Sequence, residues 1–292
     1  MTGSALELFE EHRPMLFGIA YRMLATVADA EDILQDTWVE WSAVDFAALD
    51  QPRAYLARTV TNLSINRLRS AAVRRESYVG PWLPEPLVTE DDAEHRAELA
   101  EDVSLAMLVV LETLSPLERA VFVLKNSFGF GYGEIGGILG RSETSVRQIG
   151  SRARAHVQAR RPRYGAPADT RRRVTDEFLA ACVGGDLNRM MELLAPDVTA
   201  WTDGGGKIPA AVRPVRGPDK VARFILGVLR RFPRRLDARA VLVNGEPGVL
   251  LTLAGLPDSV AAADLDADGR IEAIRLIRNP GKLGHLAVQS SS

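Results

Sequence analysis

The stretch Ser115–Arg163, SPLERAVFVLKNSFGFGYGEIGGILGRSETSVRQIGSRARAHVQARRPR, decides how the middle of the chain folds. Ser115 precedes a proline, and Glu118 follows three residues after the serine, so that the hydroxyl and the carboxylate can cap one helix start reciprocally. After the next helical run, Gly140 can take the left-handed conformation that ends a helix, and Ser142 can cap the helix that follows. The stretch therefore predicts a helix followed by a helix-turn-helix.

The last helix of this stretch has an apolar side and a polar side. Its apolar residues recur at three- and four-residue steps and should face inward: Val146, Ile149, Ala153 and Val157. The outward hydroxyl, amide and guanidinium groups suit phosphates and base edges in a major groove. From Arg141 to Arg163 there are seven arginines and one glutamate. An ordinary helical hairpin with a solvated basic surface is the alternative.

The whole chain has a globular composition and little net charge. Its 292 residues favour two domains or three small ones, and the net charge of −2 predicts no general attraction to nucleic acid. Cys182 is the only cysteine, which excludes an internal disulfide or a cysteine-based metal cluster. No signal peptide or long apolar segment is recognisable, so we expect a cytoplasmic protein with no membrane contact, metal or cofactor.

The first 76 residues are predicted to be mainly helical, with a lapse of the helical periodicity between Ser42 and Gln51. Leu6–Leu24 has a helical apolar period interrupted by Pro14, which predicts a helix pair. Val27–Trp41 combines an apolar side with a dense acidic side, which is either solvated or docks on a basic helical surface of a partner. Pro52 can open a further helix, whose polar side is rich in arginine and asparagine and suits a DNA backbone beside single-stranded bases.

The segment after residue 76 is a linker with two parts. Gly80–Pro86 contains three prolines, which exclude a regular helix and predict a semi-rigid strap. Pro84–Asp102 contains eight acidic residues and one arginine. The negative charge of this part of the linker resembles that of nucleic acid. The alternative interpretation is that the linker is only a soluble tether.

The residues after Arg163 follow a different pattern. Helices are predicted over 168–183, 186–194 and 217–232, and short strands over 198–202 and 212–216. Alternating stretches over 237–243, 248–254, 259–264 and 271–277 follow, with turns at Asn244-Gly245 and Asp268-Gly269. This order predicts an α+β domain in which a curved antiparallel sheet wraps around helices.

The first part of the chain resembles the extracytoplasmic-function sigma factors of the sigma-70 family. The resemblance covers residues 5–160 and rests on Ala30–Thr37 (AEDILQDT), the following loop, the Asn/Arg-rich helix and the unit over 134–154. It implies two all-α helical domains: one binds the RNA polymerase core and melts the −10 promoter element, and the second, a helix-turn-helix, reads the −35 element. Gly136-Gly137 departs from the family, which often has larger residues there, and each glycine costs a helix about 1 kcal/mol relative to alanine.

The resemblance also implies roles for particular residues. Contacts with the β and β′ subunits of the polymerase core are implied for Asp32, Gln35 and Asp36. Contacts with the −10 strand are implied for the loop over 42–53 and for Arg53, Asn62, Asn66, Arg67 and Arg69. Contacts with the −35 element are implied for Ser142, Thr144, Arg147, Gln148, Ser151, Arg152 and Arg154.

The C-terminal part is similar to the SnoaL-like cone domains of ketosteroid-isomerase-like and polyketide-cyclase-like enzymes. Three motifs resemble those of the sigma-factor subgroup with this extension: Trp82-Leu83-Pro84-Glu85-Pro86, Asp203-Gly204-Gly205-Gly206-Lys207 and Asn279-Pro280-Gly281-Lys282-Leu283. The subgroup usually has aspartate where this chain has Gly281. We hypothesise that the glycine-rich loop and the C-terminal motif contact the linker or the two DNA-binding domains. This regulatory interdomain contact would be made by Trp82, Pro84, Asp203, Gly204, Gly205, Gly206, Lys207, Asn279, Pro280 and Lys282.

Two alternatives concern the glycine-rich motif and the cone domain. Three consecutive glycines let the backbone approach an anion or a neighbouring domain closely, or they form a flexible turn. In an enzyme, Asp203 beside Trp201 would be a general base, with His285, Asp264 and Arg213 as further polar lining of the pocket. No acid/base pair is identifiable from the spacing, so we expect no catalysis.

These observations predict a multidomain transcription initiation factor. Its predicted parts are a polymerase- and −10-binding domain (1–76), a linker (77–102), a helix-turn-helix domain (103–163) and a SnoaL-like regulatory domain (168–288). The expected partners are RNA polymerase core, promoter DNA and a small-molecule ligand of the C-terminal domain. A SnoaL-like isomerase or cyclase fused to a DNA-binding module is the main alternative, and a conventional repressor is another.

Overall fold

The computed structural model describes residues 5–45, 49–89, 103–160, 166–231 and 236–289. The chain divides into two compact units, one formed by Met1–Glu76 and Met107–Arg161 and the other by Ser77–Ala106 and Pro162–Ser292. Of the acidic stretch predicted over 84–102, residues 90–102 lie outside the described residues. No helix in the described ranges is both long and apolar enough to cross a membrane.

The first unit begins with three helices: α1 (Ala5–Leu24), α2 (Val27–Ser42) and α3 (Pro52–Glu76). The predicted break at Pro14 is wrong, because α1 continues through the proline. A proline inside a helix removes one hydrogen bond and costs about 3 kcal/mol. Every residue from Leu16 to Leu24 is buried, and this apolar packing offsets that cost.

Within the described ranges, four more helices follow in the chain: α4 (Leu105–Leu111), α5 (Pro116–Asn126), α6 (Tyr132–Leu139) and α7 (Glu143–Arg160). The predicted capping box is confirmed, since Ser115 and Glu118 cap α5 reciprocally. Gly140 ends α6 with φ +62°, and the hydroxyl of Ser142 accepts a hydrogen bond from the Ser145 amide at the start of α7. The four inward residues predicted for α7 are buried. The helix-turn-helix prediction is therefore confirmed.

A buried arginine connects the N-terminal helices with the helix-turn-helix part of the unit. Arg119 on α5 is 3% exposed, and its Nη1 donates to the Met23 carbonyl oxygen at 2.6 Å and to Glu112 Oε1 at 2.7 Å. Burial lowers the pKa of this guanidinium to about 10. Because a buried charge needs its partners, this contact holds the end of α1 against α5 in a specific position.

The second unit contains a mixed sheet and the helices that cover it. Its strands are β1 (Val88–Thr89), β2 (Leu194–Asp203), β3 (Val215–Arg216), β4 (Leu236–Val243), β5 (Glu246–Leu253), β6 (Leu256–Leu265) and β7 (Ile271–Ile277). Its helices are α8 (Ala168–Gly184), α9 (Leu187–Leu193), α10 (Pro218–Leu229), a 3-10 turn (Pro280–Lys282) and α11 (Gly284–Gln289). Within the described ranges the strand order is β1-β4-β5-β6-β7-β2-β3.

The predicted antiparallel meander is confirmed for β4 to β7, which pair in sequence order. The pairing of β2 with β7 is parallel, so the sheet is mixed and not wholly antiparallel. Apolar residues of α8, α9 and α10 form one core with β2, β6 and β7, including Val174, Met190, Val221, Val198 and Ile274. The helices therefore pack on one face of the sheet, as the α+β prediction requires.

Three tight turns connect the meander. The predicted turns at Asn244-Gly245 and Asp268-Gly269 are confirmed, and Asn244, Gly245 and Gly269 have positive φ. The third turn is Ala254-Gly255, where Ala254 has φ +53°. The sequence predicts Ala254 as the end of a strand, because alanine is not typical of the left-handed conformation that this turn requires.

The two glycines of α6 differ in their surroundings. A Cβ atom on Gly136 would lie 2.7 Å from the Arg141 carbonyl oxygen, whereas a Cβ atom on the exposed Gly137 would have nothing within 4 Å. The backbone of the turn after α6 therefore approaches Gly136 too closely for any side chain. Close packing explains why residue 136 is a glycine and does not explain why residue 137 is one.

We predict opposite effects of Gly136→Ala and Gly137→Ala on stability. Gly137→Ala should raise the free energy of unfolding by up to about 1 kcal/mol, because alanine has the higher helix propensity. Gly136→Ala should lower it, because its methyl group meets the Arg141 carbonyl oxygen. Hydrogen exchange of the amides over 116–160 in the full chain measures both changes. Equal protection in the two variants would contradict this account of α6.

Candidate promoter-binding surfaces and strap-binding site

The outward side of α7 is exposed. All seven residues predicted to read the −35 element are exposed: Ser142, Thr144, Arg147, Gln148, Ser151, Arg152 and Arg154. Tyr132 of α6 positions two of them, because its hydroxyl accepts a hydrogen bond from Arg154 Nη2 at 2.8 Å and its ring lies 5.0 Å below the Arg147 guanidinium. This surface presents hydroxyl, amide and guanidinium groups on one rigid helix, as base reading in a major groove requires.

The acidic side of α2 and the polar side of α3 meet at one arginine. Arg67 Nε lies 2.8 Å from Asp29 Oδ1, and its Nη2 lies 2.6 Å from Asp32 Oδ2. Partial burial lowers the pKa of Arg67, but the two carboxylates together raise it by more, so the net shift of the pKa is upward. A residue assigned to DNA and a residue assigned to polymerase are thus paired with each other. Arg67 joins α2 to α3 in this structure.

The remaining residues assigned to polymerase and the −10 strand have different surroundings. Gln35, Asp36, Asn62, Asn66 and Arg69 are exposed. Arg53 contacts the turn before α6: its guanidinium lies 4.4 Å from the centroid of the Phe130 ring, and its Nη2 donates to the Phe128 carbonyl oxygen at 3.4 Å. The three central residues of the loop over 42–53 lie outside the described residues.

In the second unit, Asp203 at the end of β2 binds the beginning of the linker. We call residues 77–89 the strap. The fully buried carboxylate accepts hydrogen bonds from the Tyr78 hydroxyl at 2.5 Å and from the Leu83 amide at 2.9 Å. Lys282 Nζ lies 2.7 Å from the same carboxylate. A single buried carboxylate therefore contacts two points of the strap and one cation of the C-terminal motif.

Lys282 and Asn279 complete this contact. Lys282 Nζ also donates to the Leu83 carbonyl oxygen, and it lies 4.1 Å from the centroid of the Trp82 ring. Asn279 Nδ2 donates to the Tyr78 hydroxyl at 2.9 Å. Burial, together with the hydrogen bond to Asp203, raises the pKa of Tyr78, so the phenol stays protonated and remains a donor. We call Asp203, Asn279 and Lys282 the strap site.

The strap continues along the sheet beyond this site. The Leu87 amide donates to Asn244 Oδ1 at 3.1 Å, the Asn244 amide donates to the Leu87 carbonyl oxygen at 2.8 Å, and β1 pairs with the end of β4. His285 lies 3.0 Å from both the Pro86 carbonyl oxygen and the buried Glu85. The roles of Tyr78 and Asn244 are not predictable from the sequence, because a single tyrosine and a turn asparagine carry no local signal of a distant partner.

The glycines of the Asp203–Lys207 motif allow a close approach, and this excludes the flexible-turn interpretation. Gly205 has φ +62°, and a Cβ atom there would lie 2.3 Å from Asn279 Nδ2. Gly206 has φ +69° and packs on Val79 of the strap. The loop is therefore shaped to fit Asn279 and the strap.

Lys207 is not part of the strap site. It is exposed, and its ammonium group makes no hydrogen bond or ion pair within the described ranges. Its Nζ lies 3.1 Å from the position that a Cβ atom on Gly281 would take. The aspartate that the resembling subgroup usually has at this position would thus lie beside Lys207. This chain has the lysine of that pair without the carboxylate.

The second unit also contains a cavity of about 580 Å³ between the sheet and the helices α8 and α10. None of the four residues that the enzyme alternative would use as a catalytic base or polar lining is in its wall. Asp203 binds the strap, His285 contacts Glu85 and Pro86, Asp264 pairs with the mostly buried Arg275, and Arg213 is exposed.

Comparison with known proteins agrees with this architecture. The chain matches the family models Sigma-70 region 2 over residues 8–74, Sigma-70 region 4 over 104–157 and the SnoaL-like domain over 175–270. It is 44% identical over 288 residues to the ECF RNA polymerase sigma factor SigJ of Mycobacterium tuberculosis, covering 94% of this chain and 91% of that protein.

A second relative and a crystal structure extend this likeness. The probable ECF RNA polymerase sigma factor SigI of M. tuberculosis is 30% identical over 281 residues, covering 95% of this chain and 94% of that protein. The crystal structure of M. tuberculosis SigJ matches with a TM-score of 0.78 at 39% identity, covering 96% of this chain and 98% of that one. This chain belongs to the extracytoplasmic-function sigma factors of the sigma-70 family and carries a C-terminal SnoaL-like domain.

Proposed function

We propose that this protein directs RNA polymerase core to specific promoters and initiates transcription in the cytoplasm. The observation that carries the proposal is the exposed, arginine-rich side of α7 on a helix-turn-helix, in one unit with the acidic helix α2. In this proposal Asp32, Gln35 and Asp36 contact the β and β′ subunits. Arg53, Asn62, Asn66 and Arg69 contact the −10 strand, and the outward residues of α7 contact the −35 element.

The pairing of Arg67 gives it a positioning role in the proposal. Its guanidinium pairs with both Asp29 and Asp32, so it orients the polymerase-binding side of α2 relative to α3. An arginine held by two carboxylates is a weaker ligand for phosphate than a free one. We therefore assign the −10 contacts of α3 mainly to its exposed asparagines and Arg69.

The SnoaL-like domain regulates initiation in cis by holding the strap. The strap follows α3 directly in the chain. When the strap binds, the first part of the linker is therefore held by the second unit. Only residues 90–104 then remain to connect the strap with α4. Because an extended chain spans at most about 3.5 Å per residue, this segment limits the distance between the strap and α4. The domain thereby sets how far the two promoter-reading parts can separate.

The proposed role of the SnoaL-like domain is regulation without catalysis. Within the described ranges, its cavity wall holds no carboxylate and no histidine that could serve as a general base. The buried carboxylate that sequence reasoning offered for this role has its hydrogen bonds taken by Tyr78, Leu83 and Lys282. A small-molecule ligand in the cavity is the proposed input to regulation.

We predict that Arg152→Ala reduces transcription in vitro from the full chain and sigma-free polymerase core. Loss of one base-edge contact should cost about 1–3 kcal/mol and relax discrimination among −35 sequences. Arg172→Ala removes an exposed arginine of α8 and is the matched control, with expected parental activity. A panel of promoters with single changes in the −35 element measures the effect. Absence of start-site-specific transcripts, together with no binding to core, would overturn the sigma-factor proposal.

We predict that Lys282→Met releases the strap. Removing one partner of a buried ion pair costs about 3–5 kcal/mol, because the Asp203 carboxylate is left without its cation. Hydrogen exchange of the Leu83 and Leu87 amides should accelerate, and the transcript yield should change with it. Lys207→Met, at the exposed lysine nearby, is the control and should leave both unchanged. Unchanged exchange in Lys282→Met would show that the pair does not hold the strap.

We predict that Gly281→Asp gives Lys207 an ion-pair partner. The expected gain in the free energy of strap docking is at most about 1 kcal/mol, because exposed pairs are screened by solvent. A double-mutant cycle of Gly281→Asp with Lys207→Met, read by exchange of the strap amides, isolates this term. Strictly additive effects of the two substitutions would refute the pairing.

A further inference from the structure

The cavity of the SnoaL-like domain is built almost entirely from apolar groups. Its wall includes aromatic and aliphatic side chains of α8 and α10, such as Phe178, Leu179, Phe224 and Val228. The volume of about 580 Å³ lies within the range of pockets that enclose a drug-sized molecule. A pocket with such a wall favours ligands that leave water for apolar contacts.

The few polar groups in the wall carry no unbalanced charge. Arg278 Nη2 lies 3.1 Å and 3.2 Å from the two carboxylate oxygens of Asp258, and its Nη1 donates to the Pro209 carbonyl oxygen at 3.1 Å. Burial raises the pKa of the Cys182 thiol to about 12, so the sulfur is neutral at physiological pH. An ionic ligand would lose its hydration here without gaining a counter-charge.

The hydroxyl groups of the wall differ in what they can still bind. Thr202 Oγ1 accepts from the Ala211 amide at 2.8 Å and donates to the Ala211 carbonyl oxygen at 3.1 Å, so it is already satisfied. Ser259 is 1% exposed and also lies in the wall, and none of the hydrogen bonds described for the protein uses its hydroxyl. Ser259 shares a face of β6 with Ala261 and Ala263, the face that lines the cavity.

We propose that this cavity binds a neutral, mainly apolar small molecule with one polar group that hydrogen-bonds to Ser259. The inference rests on the proposed regulatory function of the domain and names the class of its ligand. The wall selects against carboxylates and ammonium groups, because it offers no charge that is not already paired.

The cavity is connected to the strap site through two neighbouring strands. Thr202 of β2 lies in the wall, and the next residue, Asp203, holds the strap. Arg278, directly after β7, also lies in the wall, and the next residue, Asn279, binds Tyr78. The Arg278 amide donates to the Asp203 carbonyl oxygen at 2.7 Å and joins the two strand ends. A ligand that packs against this wall therefore acts on the residues that hold the strap, and by linkage strap docking changes ligand affinity equally.

The first experiment titrates the full chain with Nile red, a neutral apolar dye, and follows its fluorescence. We expect saturable binding to one site. Ala261→Phe fills the cavity from its sheet wall and should weaken binding at least about tenfold, because the ring occupies ligand space. Ala240→Phe introduces the same ring at an exposed strand position outside the wall and should bind the dye as the parent does.

The outcomes of this titration decide the binding site and the ligand class. No saturable binding, or equal affinity in the parent and Ala261→Phe, overturns the proposal. The anionic dye 8-anilinonaphthalene-1-sulfonate tests charge selectivity: if it binds the cavity as tightly as Nile red does, the neutral class is wrong. Parental far-ultraviolet circular dichroism of Ala261→Phe shows that the domain remains folded, and Ser259→Ala offers a variant without added bulk.

The second experiment tests the connection to the strap. Saturating Nile red should change the hydrogen-exchange rates of the Leu83 and Leu87 amides in the parent protein and leave them unchanged in Ala261→Phe. Exchange that is insensitive to the dye, with binding intact, overturns the coupling. Neither experiment uses polymerase or DNA. Failure of transcription with intact dye binding would therefore refute the proposed function, whereas failure of dye binding with intact transcription would refute only this inference.

Discussion

The buried pair of Asp203 and Lys282 is the interaction on which the arrangement of the second unit depends. The two side chains are 0% and 7% exposed, and both also bind the backbone of Leu83. A buried ion pair adds little net stability, because desolvation offsets most of the attraction between the charges. It is nevertheless specific, because either charge without the other would be buried unpaired. The pair therefore acts mainly to select one position of the strap.

Neighbouring contacts fix the position of the strap further along its length. Tyr78 and Trp82 place aromatic rings 5.3 Å and 4.1 Å from the lysine ammonium, and β1 adds the end of the strap to the edge of the sheet. A linker segment is thereby converted into part of a folded domain. Because these contacts are polar and concentrated at one site, a modest change at the ends of β2 and β7 can alter their stability. This makes the strap suitable as the moving part of a regulator.

Local sequence was sufficient for much of the fold and for part of the site. The capping residues Ser115 and Glu118, the left-handed Gly140 and the inward side of α7 were predicted correctly, as were two of the three hairpin turns. The exceptions were positions where tertiary packing outweighs a local preference. Pro14 lies inside a continuous helix because the residues after it are buried, and Ala254 adopts a left-handed conformation because the sheet requires a tight turn.

The sequence by itself determined the approximate positions of most helices and strands and which side chains of α7 face outward, because these properties depend on residues within about one or two turns. Only the tertiary structure decided which groups of the strap Asp203 binds, that Arg67 pairs with Asp32, and that β2 runs parallel to β7. Asp203 and Leu83 are 120 residues apart, and Asp32 and Arg67 are 35 apart. Such partners are chosen by the packing of whole elements, which no local pattern specifies.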